Sequence, residues 1–91
     1  MFNTLLISYD LRTPGKDYAN LWEHLRSYKN YAKPLESVWL VRTSYSAEQV
    51  RDFARSYIDQ NDRIFVVDVT SRPSAWNNLP ANVVGWIGKI L

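Results

Sequence analysis

The sequence has no cysteine, which excludes disulfide staples and thiolate metal sites and makes an intracellular, cytoplasmic location the expectation. It has a single histidine, His24, with no HxH or HExxH spacing around it and no Ser/His/Asp or Cys/His arrangement to join. His24 is therefore expected at the surface or at the rim of a dimer. Glycine is scarce, at three residues, and none belongs to a Walker loop or a GxGxxG turn, so a nucleotide cofactor has no support. No stretch approaches the roughly 18 consecutive apolar residues of a membrane span. The start lacks a basic segment followed by a long apolar one, so neither a membrane anchor nor a signal peptide is expected. A strong charge of one sign is also missing: eleven basic against nine acidic residues leave +2, which is short of a nucleic-acid footprint by itself. Seven of the eleven basic residues are nevertheless Arg, the better donor to phosphate and carboxylate, so nucleic acid stays open beside a plain solvated surface.

What is present is apolar and aromatic. Hydrophobic residues make up 46% and aromatics 14% of 91 residues, enough for one globular domain spanning 1–91 and too little chain for two. A domain of this size is marginal alone, which leaves work for a second subunit.

Thr4–Asp10 is a short apolar run bounded by turn residues, the pattern of a strand buried on both faces. Pro14-Gly15 marks a turn. Asp17 can cap a helix whose stripe is Tyr18, Leu21, Trp22 and Leu25, ending near Tyr28. Tyr31–Leu35 contains Pro34, which bars a central strand and permits an edge. Ser37–Thr43 is rich in strand formers, and the two form a hairpin turning around Leu35 and Glu36, with a bulge. Ser46 and Gln49 match a capping box opening a helix with the stripe Val50, Phe53, Ala54 and Tyr57. Arg63–Thr70 is a fourth strand. Ser71–Asn78 is a loop carrying Trp76, and Leu79–Leu91 forms a last helix through Val83, Trp86, Ile87 and Ile90.

The order β-α-β-β-α-β predicts an α+β, ferredoxin-like fold. Its four-stranded antiparallel sheet carries two helices on one face and has its first and third strands central, with 71–91 as an appended loop and helix. The strands are apolar on both faces, so the second face needs a cover. The C-terminal segment and a dimer partner are expected to share it.

Three motifs carry a resemblance: Ile7–Leu11 (ISYDL), Pro14–Tyr18 (PGKDY) and Pro34–Val41 (PLESVWLV). Together they resemble the CRISPR-associated protein 2 superfamily, and within it the small SinR-like members, over nearly the whole chain. The resemblance implies a ferredoxin-like homodimer in which one aspartate per subunit, here Asp10, approaches its symmetry mate. It implies a Mg²⁺ or Mn²⁺ site shared across that dimer and metal-dependent endonuclease chemistry, on RNA or DNA, in some members. Others are non-catalytic scaffolds that hold nucleic acid, and the virulence-associated protein D branch resembles the same fold with ribonuclease activity. The SinR label implies no helix-turn-helix, because the chain is strand-rich.

Asp10 has two readings. It is a strand-end acceptor for turn N–H groups or a partner of Arg12, or it is the metal- and phosphate-handling carboxylate. Ser8 shares its strand face. Arg12 and Lys16 flank the loop and can hold phosphate, or are simply solvated. Arg51 and Arg55 lie one helical turn apart as a basic stripe that a dimer doubles, with Asp52 and Asp59 as diluting charges. An RNA-recognition domain shares the expected fold, but Ser37–Thr43 lacks its aromatic motif, so Trp39 is expected in the core or an interface. The alternative function is a non-catalytic protein–protein interaction module built on the edge strand, the Trp76 loop and the last helix.

Overall fold

The computed structural model describes residues 2–90. Its elements are β1 (Asn3–Asp10), α1 (Ala19–Arg26), β2 (Asn30–Leu35), β3 (Val38–Thr43), α2 (Ala47–Arg55), β4 (Arg63–Asp68) and α3 (Ala81–Ile90). The strands form one antiparallel sheet in the order β2-β3-β1-β4, with β1 and β3 central. This is the ferredoxin-like α+β arrangement expected from the element order. Pro34 sits in an edge strand, the hairpin turns at Glu36 and Ser37 rather than at Leu35 and Glu36, and the β2–β3 register is irregular between Ala32 and Leu35, ahead of that turn.

Local chemistry sets the element ends. Pro14 and Gly15 form a turn closed by Lys16 N–H donating to Thr13 O at 3.3 Å, and Gly15 takes φ +77°, which a Cβ would strain. Asp17 Oδ1 accepts from Ala19 N–H at 2.9 Å, satisfying one free donor of α1, although Tyr18 rather than Asp17 is its N-cap residue. The last turn of α1 tightens through Ser27 N–H to His24 O at 3.0 Å, and the helix stops at Arg26, two residues before the expected Tyr28. The capping box of α2 forms in full: Ser46 Oγ accepts from Gln49 N–H at 3.1 Å, and Gln49 Oε1 accepts from Ser46 N–H at 2.9 Å. The expected last residue of α3, Leu91, lies outside the described residues.

Strand alternation sends Leu5, Ile7 and Tyr9 of β1 to one face, where they pack with Trp39 and Val41 against Leu21 and Leu25 of α1 and Val50 and Ala54 of α2. Burying a Leu, Ile or Val side chain contributes about 1.5–3 kcal/mol, so this cluster is the main stabilising unit. The second face carries a smaller cluster, in which Val83 and Ile87 of α3 pack on Ala32, Leu40 and Leu6. The C-terminal segment therefore does cover the second face, but only in part. One row beyond α3, Leu35 and Phe65 remain 60% and 63% exposed.

Three stripe assignments need correction. Trp22 is exposed, because α1 buries only Leu21 and Leu25. Phe53 and Tyr57 are exposed, because α2 turns only Val50 and Ala54 onto the sheet. Phe53 instead meets Tyr45 edge-on with centroids 5.0 Å apart, and Tyr57 stacks on His24 at 4.9 Å. His24 is accordingly half-buried, with Tyr28 on its other side at 5.5 Å, rather than a surface residue. Burial lowers its pKa, since the imidazolium loses hydration there.

Candidate functional site

Asp10 ends β1 on the same face as Leu6 and Ser8. In the β1–β4 register it lies opposite Arg63, and Ser8 lies opposite Phe65. Asp10 is thus on the α3 side of the sheet, at the end that α3 leaves open. Its Oδ2 accepts from Arg12 Nη1 at 3.2 Å, with the Arg12 and Asp10 side chains 48% and 58% exposed. An exposed pair of this kind contributes about 0–1 kcal/mol, so it holds the carboxylate only loosely.

The other structural role foreseen for Asp10, accepting the loop's backbone N–H groups, belongs to Asp62. Its Oδ1 accepts from Arg12 N–H at 2.7 Å, from Tyr18 Oη–H at 2.7 Å and from Thr13 Oγ1–H at 3.3 Å. Its Oδ2 accepts from Asp59 N–H at 2.8 Å. Desolvation pushes this carboxyl up, but the N–H groups of Asp59 and Arg12 and the two hydroxyls outweigh it and bring the pKa to about 2. Asp62 ties the β1–α1 loop to the β4 entry, and so fixes the backbone just after Asp10. No local pattern marks this role of Asp62, because three of its four donors lie 44–50 positions away.

The basic candidates do not converge on Asp10. Only Arg12 reaches it. Lys16 Nζ pairs with Asp59 at 3.1 Å and lies 5.8 Å from the centre of the Tyr18 ring. Arg51 binds Asp52 through Nε at 3.0 Å and Nη2 at 2.7 Å, and Arg55 Nη1 stands 3.8 Å from the same carboxylate. Both Arg side chains belong to α2, which packs on the opposite face of the sheet from Asp10. The stripe exists, but Asp52 shares it.

Among the described residues, no group of three or more His, Cys, Asp or Glu is placed to hold a metal ion. Within one chain, then, the donor set at Asp10 does not fit a divalent cation, since a single carboxylate already shared with Arg12 is a poor ligand set.

A second feature lies on the helix side of the sheet and is absent from the sequence reading. Tyr9, adjacent to Asp10, is buried, and its hydroxyl accepts from both Trp39 Nε1 at 3.0 Å and Trp22 Nε1 at 3.2 Å. These groups floor a cleft of about 610 Å³ between α1 and the β2 edge, walled by Arg26, Tyr31 and Lys33. The available signal was the alternation in β2, where Tyr31 and Lys33 flank the inward Ala32 of the opposite face. Trp39, at 2% exposure, is a core residue as expected.

No family model matches the chain, and no solved structure matches it significantly. Among the described residues, no helix is long and apolar enough to cross a membrane.

Proposed function

We propose that the protein is a homodimeric nucleic-acid-binding or assembly protein of the CRISPR-associated protein 2 type. The observation that carries this reading is the placement of Asp10. It lies on the sheet face that also exposes Leu35 and Phe65, at the end beyond α3. A second copy docking on that apolar row brings two Asp10 carboxylates toward each other across a two-fold axis. Arg12 and Arg63 then add positive charge beside the paired carboxylates, and Arg51 and Arg55 form a stripe on the outer helices of each copy.

Metal-dependent phosphodiester cleavage is proposed for the dimer alone. Two Asp10 side chains would hold Mg²⁺ or Mn²⁺ there, and such an ion supplies charge stabilisation at phosphoryl oxygens. The test uses labelled RNA and DNA with either metal, for wild type and Asp10→Asn. Cleavage by wild type that is abolished in the variant supports the nuclease. A wild type that cuts nothing, or a variant that cuts equally well, removes it. Binding itself is tested by anisotropy across a salt series, where affinity should fall steeply with salt and with removal of the Arg51 and Arg55 charges.

A second reading has its own observation. An apolar groove of about 400 Å³ on the α3 side is lined by Leu6, Leu35, Leu40, Trp76 and Ile87. Its Trp76 loop is exposed, and β2 beside it is an edge strand. That combination suits a protein-interaction module with no chemistry. Absence of nucleic-acid binding at low salt would favour this reading.

A further inference from the structure

The cleft beside Tyr9 has features that packing alone does not require. Each indole N–H is only a donor, so the Tyr9 hydroxyl must use its lone pairs on Trp22 and Trp39. Its own proton therefore remains to be donated, and among the described residues no acceptor for it is found. The cleft is the space into which it can point. Trp22 of α1 and Tyr31 of β2 are 36% and 39% exposed, and both line the cleft. Arg26 and Lys33 also line it, and neither forms an ion pair among the described residues. Lys33 is instead held 5.8 Å from the centre of the Trp39 ring, which keeps its ammonium at the cleft wall. The volume of about 610 Å³ falls in the usual range for small-ligand clefts, about 300–1,000 Å³.

We infer that this cleft binds one unpaired nucleotide unit. The base stacks on the exposed aromatic wall of Trp22 and Tyr31, and the phosphate meets Arg26 and Lys33. The Tyr9 hydroxyl donates to an oxygen of the same unit. Two acidic residues border the cleft and fit this assignment: Asp10, at the strand end, has its carboxylate on the other face and paired with Arg12, and Glu36 supplies an acceptor for a base amino group. A paired base cannot enter, because its faces are covered within the duplex. The inference rests on the nucleic-acid reading above and adds strand state and a location to it. It is independent of Asp10 chemistry and of the dimer.

The experiment measures anisotropy of labelled single-stranded and duplex oligonucleotides, as RNA and as DNA, together with quenching of tryptophan fluorescence by the same strands and by adenosine monophosphate. The proteins are the wild type, the double variant Arg26→Ala/Lys33→Ala, and Tyr31→Leu. All the altered side chains are exposed, and circular dichroism checks the fold. Single strands should bind about tenfold tighter than duplex, quench tryptophan emission, and lose about tenfold or more in affinity in each variant. If the wild type binds nucleic acid but prefers duplex, or if the variants bind as well as it does, the cleft assignment falls and the broader reading stands. If no oligonucleotide binds but the mononucleotide does, and the variants weaken it, the cleft is a free-nucleotide site and the broader reading falls. If neither binds, both fall.

Discussion

Tyr9 and Asp10 are consecutive, yet strand alternation gives them opposite surroundings. Tyr9 turns into the helix-side core and accepts two indole N–H groups, whereas Asp10 turns to the far face and meets only Arg12. Tyr9→Phe therefore strands the buried Trp39 N–H, and should destabilise the fold by about 1–3 kcal/mol in urea denaturation. Asp62 gives a pH prediction. Its folded pKa of about 2 lies below the ordinary 3.8, so its stabilisation is fully present above that ordinary value. As the pH falls through the folded pKa, protonation removes the contribution. Asp62→Asn should lower the urea midpoint at neutral pH and flatten the wild-type loss between about pH 4 and 2. A variant with an unchanged acid limb would contradict the role assigned to this carboxylate.

Helices α2 and α3 are held in different ways. α2 starts with a complete capping box, and Ser46→Ala should remove about 1 kcal/mol of stability. α3 carries Gly85 and Gly88, where a Cβ would meet nothing within 4 Å and the backbone φ is not positive. Each Gly→Ala change there should stabilise the protein by about 0.5–1 kcal/mol, read as a raised urea midpoint. Two glycines lower its helix propensity, so α3 persists through docking of Val83 and Ile87.

At the scale of the molecule, the sheet has one face covered by α1 and α2 except at the cleft beside β2, and one only partly covered by α3. The exposed row around Leu35 and Phe65 is the proposed docking surface between copies. Phe65→Asp should keep the monomer fold, since the ring is 63% exposed, and shift sedimentation toward the monomer at a given concentration. A variant that remains dimeric would place the interface elsewhere.

The elements, their order and the sheet topology were legible in the chain because their signals are local. Apolar runs marked β1 and β4, helical spacing marked α1, and Ser46-to-Gln49 chemistry marked the start of α2. Pro34 placed β2 at an edge because proline has no N–H for a ladder. What only the tertiary structure decided depends on groups far apart in sequence. Asp62, not Asp10, accepts the Arg12 N–H and the hydroxyls of Thr13 and Tyr18, all 44–50 positions away. Phe53 and Tyr57 leave the core because α2 meets the sheet over a narrower stripe than helical spacing alone implies. Tyr9, Trp22 and Trp39 meet around one hydroxyl because β1, α1 and β3 converge there. Periodicity says which residues share a face. Which distant donor meets which acceptor is settled only when the faces close on one another.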